Sequence, residues 1–276
     1  MNAPRVQVQG LCRFSFPCTG GFKKHHQSLT ARRTAMYDPL RLRERMVWFD
    51  HVCLPAIRAQ NDPDFALHLL VGEDFPEPFR SQLQDMIAPV PQVVAHFRPP
   101  GEHRSVCRDL MLGARDPNAD VIAEFRLDDD DAVAVNYVAT LRRLFPLVDE
   151  LRGAPGRLAV DHGKGLVIAA KPDAVTVHPL LTHAWAPATS VYLNAGDDAS
   201  IMDFPHQKIW MRVPFVNLTD QFMFVRGDHG GNDAKTPWAS AGKVSMDAAA
   251  LPELMRRRFN IDLAGFTAAW QAAVAR

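Results

Sequence analysis

Apolar and polar residues alternate along the first segment of the chain. Val6 and Val8 alternate with glutamines, and the pattern continues to Phe16, which predicts a strand over residues 6–16 that ends at Pro17. Three further segments with the length and composition of strands follow, at residues 65–71, 93–97 and 121–127.

Helical spacing appears between these strands. Apolar residues recur every three or four positions from Leu42 to Ile57, which predicts a helix over residues 40–57. The same reasoning predicts helices at residues 77–86, 104–115 and 132–148. Strands that alternate with helices indicate an α/β fold with a mostly parallel central sheet flanked by helices, in which ligands bind beyond the carboxyl ends of the strands.

The pattern is less regular after residue 150. Short strands are predicted at residues 157–160, 165–170, 190–194 and 222–225, and residues 251–275 have a helical composition with a break near Asn260. We therefore expect residues 1–276 to form a single domain. Strands and helices alternate regularly in the half at 1–150, and the half at 151–276 is irregular and ends in C-terminal helices.

Composition narrows the choice of function. The 276 residues contain 31 Lys and Arg against 31 Asp and Glu, and this zero net charge argues against a nucleic-acid partner. Neither a signal peptide nor an apolar run of membrane-spanning length is evident, and the four cysteines form no C-x-x-C pair, so we expect a cytoplasmic protein with reduced thiols.

Four consecutive aspartates, Asp128 to Asp131, follow the predicted strand at 121–127. Adjacent carboxylates repel one another unless a cation or solvent screens them, and Mg²⁺ or Mn²⁺ prefers oxygen ligands. The spacing of Asp128 and Asp130 lets one carboxylate bind a metal directly while the other holds a metal-bound water or a ribose hydroxyl. The alternative is a solvated acidic turn that caps a helix. For Arg126, just before the turn, an ion pair with the neighbouring acids is expected.

The chain resembles glycosyltransferases of the GT-A fold, and more narrowly a bacterial family of rhamnosyltransferases. The resemblance rests on Arg13-Phe14-Ser15, Leu54-Pro55, the segment from Phe125 to Asp131, and His229-Gly230-Gly231-Asn232, and it covers about residues 6 to 235. It implies a GT-A-like domain in which residues 1–150 bind a nucleoside diphosphate sugar and residues 151–276 face a carbohydrate or other hydroxyl acceptor.

The resemblance also implies site residues. Asp128 and Asp130 correspond to the D-x-D pair, and a late histidine, matched here by His229, completes the site for Mn²⁺ or Mg²⁺. The donor-binding residues are then Arg13, Arg104, Arg108, Asp128 and Asp129. A guanidinium suits bidentate phosphate contacts and can balance the charge of the aspartates, and Arg104 and Arg108 share one helix face, with Arg115 near it.

The acceptor side is less defined. Asp203 is our candidate for the catalytic base, with Asp161 and His206 as alternatives, and Trp185, Trp210 and Trp238 could stack on a sugar. The basic loop at residues 23–26 could steer an anionic donor or contact the inner face of a membrane.

Two other functions remain open from the sequence. A nucleotidyltransferase would also place carboxylates and Mg²⁺ at a strand end. It usually has a glycine-rich, basic phosphate loop near the N-terminus, which the segment Gly20-Gly21-Phe22-Lys23-Lys24 matches only weakly. A non-catalytic cation- or sugar-binding module is the other, although the spacing of an EF-hand is absent.

Overall fold

The computed structural model describes residues 4–20, 28–230 and 241–275. Its strands are β1 Val6–Phe14, β2 Ala66–Gly72, β3 Val93–Arg98, β4 Val121–Asp128, β5 Ala132–Val133, β6 Leu158–His162, β7 Lys164–Ala170, β8 Val175–Leu181, β9 Thr189–Asn194, β10 Phe215–Leu218, β11 Phe224–Asp228 and β12 Gly242–Lys243. Its α-helices are α1 Leu29–Met36, α2 Pro39–Trp48, α3 Leu54–Arg58, α4 Phe79–Ile87, α5 His103–Gly113, α6 Tyr137–Val148, α7 Leu251–Phe259 and α8 Leu263–Val274.

The larger sheet has the strand order β10-β6-β9-β4-β1-β2-β3. The first four strands of the chain pair in parallel, and β9 runs antiparallel between β4 and β6. Apolar side chains cover both faces, because Cys12 and Phe14 join one buried cluster while Leu11 packs with Cys107 and Met111 of α5 in another. The predicted α/β class, with a mostly parallel central sheet flanked by helices, is confirmed.

A second sheet, with the order β12-β8-β7-β11-β5, makes the later half more regular than its sequence predicts. The expected strands in that half are present as β6, β7, β9 and β11, whereas β8, β10 and the two-residue β12 have no predicted counterpart. Pro179 lies within β8 and argues against a strand there, and the residues of β8 are half-buried or exposed except for Leu180.

The predicted helix over residues 40–57 is present as α2, a π-helical turn at Phe49–Cys53, and α3. Asp38 caps its start by accepting hydrogen bonds from the backbone N–H groups of Leu40 and Arg41. This helical run packs on the face of the larger sheet that carries Cys12 and Phe14.

The prediction of a helix from residue 132 is wrong in its first turn. Ala132 and Val133 form β5, which pairs antiparallel with Val225 and Phe224 of β11, and α6 begins only at Tyr137. The partner strand lies about ninety residues later in the chain, so local periodicity carries no trace of this pairing.

The C-terminal helices follow the expected pattern. Asn260 ends α7 in the left-handed conformation, with φ of 55°, and Asp262 caps α8. Phe266 and Trp270 of α8 place their rings 4.6 and 5.9 Å from the ring of Trp48 on α2. The tail therefore packs directly on the helix that precedes the π-helical turn.

All four cysteines are buried, and none of them forms a disulfide. Among the described residues, none of the helices combines the length and the apolar character needed to traverse a bilayer.

Candidate active site

The four aspartates form the turn by which the chain leaves one sheet and enters the other. Asp128 ends β4, the backbone N–H of Asp131 donates to the carbonyl of Asp128 at 3.0 Å, and Ala132 begins β5. The turn lies at the carboxyl end of β4, next to the end of the parallel strand β1. We call residues 128–131 the acidic turn.

The open end of the acidic turn consists of Asp128 and its neighbours. Arg13 lies beside Asp128 in the register of β1 and β4, and its Nη2 donates to Asp128 Oδ1 at 3.1 Å. Arg13 Nη1 also lies 2.9 Å from Nε2 of His103, at the start of α5. Burial acts to raise the pKa of the Asp128 carboxyl, but the charge and hydrogen bond of Arg13 together with the charge of Arg226 outweigh it, and the pKa is lowered. With a side chain 38% exposed, Asp128 is an ionised and reachable carboxylate.

The closed end is held by one guanidinium. Arg45 of α2 donates from Nε to Asp129 Oδ2 at 2.8 Å and pairs through Nη2 with Asp129 Oδ1. Its Nη1 donates to Asp130 Oδ2 at 3.1 Å and lies 3.1 Å from Nε2 of His229. Burial acts to raise the pKa of Asp130, but Arg45 and His229 lower it well below its ordinary value. Asp130 is therefore ionised although it is buried.

Asp131 is the most isolated of the four carboxylates. Its Oδ1 accepts the backbone N–H of Gly227 at 3.0 Å, whereas its buried Oδ2 has no hydrogen-bond partner among the described residues and lies 4.0 Å from Arg226 Nη1. Burial and the charge of Asp130 raise the pKa of Asp131. A Cβ at Gly227 would come within 2.6 Å of the carbonyl oxygen of Asp130, so glycine lets β11 approach the turn this closely.

His229 is fixed by aromatic rings. It stacks on Trp48 with a ring separation of 5.1 Å and an interplanar angle of 29°, and Trp270 lies 6.0 Å away. Its Nε2 lies 3.0 Å from Asp130 Oδ2. The structure thus brings His229 to the acidic turn, and its role as a metal ligand stays a prediction.

The donor atoms of this site suit a divalent metal ion. Asp128, Asp130 and Asp131 each offer a carboxylate oxygen, and these atoms lie within 4.8 Å of one another. The unpartnered Oδ2 of Asp131 adds a buried acceptor that a cation would satisfy. Oxygen atoms are the ligands that Mg²⁺ and Mn²⁺ prefer, so the residues present fit such an ion.

Arg104, Arg108 and Asp203 do not join the contacts of the acidic turn described above. Arg104 is exposed, while Arg108 Nε donates to Asp203 Oδ2 at 3.2 Å. The same Asp203 oxygen accepts the backbone N–H of Ser200 at 2.8 Å in a capping box. These contacts connect the segment after β9 to α5, so Arg108 and Asp203 stabilise the packing of these two elements. The donor-binding and catalytic roles assigned to them stay predictions.

Two other arginines differ from expectation. Arg115 pairs with the fully buried Glu124 at 2.8 Å rather than balancing the aspartates. The predicted ion pair of Arg126 with neighbouring acids is wrong for the described residues: its Nε is buried without a partner, and burial together with Arg13 lowers its pKa to about 10.

Sequence reasoning missed Arg45, Trp48 and Trp270. For Arg45 a signal exists, because it follows Leu42 by three positions and precedes Phe49 by four, on the apolar face of the predicted helix. A charged residue on such a face requires a buried partner. The basic loop at 23–26, Gly231, Asn232 and Trp238 lie outside the described residues.

Solved structures offer distant likenesses. Residues 1–349 of S. aureus TarS, in complex with UDP-GlcNAc, match with 10% identity and a TM-score of 0.44, over 91% of this chain and 64% of that one. Rv0371C from Mycobacterium tuberculosis, in complex with manganese, matches with 15% identity and a TM-score of 0.33, over 86% and 96%. This chain spans less than two thirds of the TarS fragment.

Sequence comparison is more decisive. No curated protein matches the chain at a significant level. A family profile described as "Putative rhamnosyl transferase" matches residues 7–241, which include the acidic turn and His229. The α/β architecture agrees with the GT-A-like class predicted from the sequence, and the chain belongs to this rhamnosyl transferase family.

Proposed function

We propose that the protein is a metal-dependent glycosyltransferase that moves rhamnose from a nucleoside diphosphate donor to an acceptor hydroxyl. The observation that carries the proposal is the convergence of Asp128, Asp130 and Asp131 at the end of β4, in a chain of the rhamnosyl transferase family. The proposed location is the cytoplasm, with peripheral contact to the inner face of a membrane.

Asp128, Asp130 and Asp131 would hold Mn²⁺ or Mg²⁺, with His229 as a further ligand. His229 Nε2 lies 3.0 Å from Asp130 Oδ2, so the imidazole would be within reach of an ion that Asp130 holds. When bound, the ion would neutralise the charge that develops on the leaving diphosphate.

The chain's own groups would orient the donor. Asp128 and Arg13 lie at the exposed end of the turn, where Arg13 could bind a phosphate or the ribose after exchanging its contact with Asp128. Trp48 and Trp270 hold the ring of His229 in one orientation. Asp203 remains the candidate for the base that takes the acceptor proton.

The test is a thermal-shift panel of UDP, GDP, dTDP and CMP, each with and without Mn²⁺, on wild type, Asp130→Ala and Asp64→Asn. Asp64 is a matched control because its side chain is 93% exposed and pairs only with Arg142 in the contacts described. We expect one diphosphate to raise Tm in a Mn²⁺-dependent way in wild type and Asp64→Asn, and not in Asp130→Ala.

Turnover of the matching nucleotide rhamnose then separates the three functions. Release of the nucleoside diphosphate supports transfer of the sugar, release of pyrophosphate from a nucleoside triphosphate supports a nucleotidyltransferase, and a Tm response to Mn²⁺ alone supports a binding module. Failure of every nucleotide to shift Tm would reject the proposed donor site.

A further inference from the structure

Arg45 contacts two of the proposed metal ligands, Asp130 and His229. Its side chain is only 9% exposed, and its Nη1 lies 3.1 Å from both Asp130 Oδ2 and His229 Nε2. Those two atoms are 3.0 Å apart, so the three atoms form a nearly equilateral triangle.

The contacts of Arg45 Nη1 compete with the binding of a metal ion by Asp130 and His229. A divalent ion can bind Nε2 of His229 only through the lone pair of the unprotonated nitrogen, and a guanidinium N–H that donates to Nε2 uses the same single lone pair. Arg45 Nη1 and an ion cannot both be held by Nε2. Binding of the ion to Nε2 and to Asp130 Oδ2 therefore requires Nη1 to leave His229.

The pairing of Arg45 with Asp129 would keep the guanidinium in the site after Nη1 leaves Asp130 and His229. The Asp129 carboxylate takes Nε and Nη2 of the guanidinium in a bidentate pair, which uses neither hydrogen of Nη1. Asp129 is itself buried, with a side chain 2% exposed. Loss of the Nη1 contacts therefore leaves the guanidinium anchored by two hydrogen bonds.

We propose that Arg45 is a resident cation of the site, which holds Asp130 and His229 in position in the absence of metal and yields those two atoms when a divalent ion binds, while Asp129 retains it. This inference rests on the proposed function for the metal site. Arg45 is a positioning residue, and its retained charge lowers the affinity for metal in the absence of a diphosphate.

The experiment measures Mn²⁺ affinity by the EPR signal of free Mn²⁺, with no nucleotide and no turnover. The proteins are wild type, Arg45→Gln and Arg226→Gln. Arg226 is the matched control, because it is a buried arginine beside the same turn whose ion pair is with Asp131. We expect Arg45→Gln to lower the Kd for Mn²⁺ at least tenfold and Arg226→Gln to lower it no more than threefold.

Equal Kd values for wild type and Arg45→Gln would overturn the resident-cation proposal and leave the metal-dependent transferase intact. An equal gain in Mn²⁺ affinity in both variants would also overturn it, because the loss of any nearby positive charge would then explain the gain. Absence of Mn²⁺ binding in all three proteins would reject the metal site itself, whereas the nucleotide panel tests the donor site separately.

A second measurement follows the exchange in wild type, in case Arg45→Gln does not fold. Guanidinium ¹⁵N NMR is recorded before and after addition of Mg²⁺, with the Arg45 signals assigned through Arg45→Lys. We expect the Nη1 signal to shift while the Nε signal keeps its bonded position. An unchanged Nη1 signal at saturating Mg²⁺ would contradict the exchange.

Discussion

The two ends of the acidic turn consist of the same residue, aspartate, but differ in exposure and in the arginine that they contact. At the open end, Asp128 shares Arg13 with His103 and has a side chain 38% exposed. At the closed end, Asp129 and Asp130 have side chains 2% and 5% exposed and share Arg45. The difference teaches that the residues packed against an aspartate, rather than its place in a motif, set its exposure and the cation that it meets.

The closed end should dominate stability. Asp129→Asn leaves the buried Arg45 without its bidentate partner, and breaking a buried ion pair from one side costs about 3 kcal/mol or more. We expect a loss of about 3 kcal/mol in the free energy of unfolding, measured by urea denaturation without metal.

The matched comparison for this variant is Asp128→Asn at the open end. A loss of equal size from both variants would remove the distinction between the two ends of the turn.

Much of the fold could be predicted from the sequence, because it depends on local patterns. The strands β1 to β4 have clear apolar runs, and the break at Asn260 separates two helical segments. The position of the acidic turn at the end of β4 follows from the same pattern.

The remainder depends on contacts between distant segments. Arg45 meets Asp129 across 84 positions and His229 across 184. The pairing of β5 with β11 and the stacking of Trp270 near His229 are equally remote in sequence. Neither periodicity nor motif spacing encodes which side chain a fold brings against a carboxylate, so the partners of the four aspartates had to come from the structure.

Asp161 is a buried carboxylate with no arginine among the partners described for it, and it can be compared with Asp130. Asp161 is 1% exposed and accepts hydrogen bonds from the backbone N–H of Ala184 at 2.7 Å and from Thr189 Oγ1. Burial outweighs these bonds and raises its pKa to about 6, whereas the pKa of Asp130, beside Arg45, is lowered. The contrast shows the combined effect of the groups beside Asp130, with Arg45 first among them.

The raised pKa of Asp161 has a defined sign. Between the unfolded pKa of about 4 and the folded value, the folded state binds the proton more tightly, so its contribution to stability is present at low pH and is lost as pH rises through about 6. Relative to Asp161→Asn, wild type should gain about 2 kcal/mol between pH 7.5 and pH 4.5. Urea unfolding of both proteins across this range gives the difference, and a difference independent of pH would refute the prediction.

The open end should show the smallest effect on stability. The pair of Arg13 and Asp128 is 26% and 38% exposed, so solvent screens it, and its loss in Asp128→Asn should cost less than about 1 kcal/mol in the free energy of unfolding. Affinity for the selected nucleoside diphosphate with Mn²⁺ should fall at the same time, about tenfold, because the variant loses a reachable carboxylate and the group that orients Arg13. Calorimetry of nucleotide binding and urea unfolding of one preparation measure both quantities. A variant that loses stability but keeps its affinity would show that Asp128 serves the fold, as Asp129 does, and the two ends of the turn would then differ only in exposure.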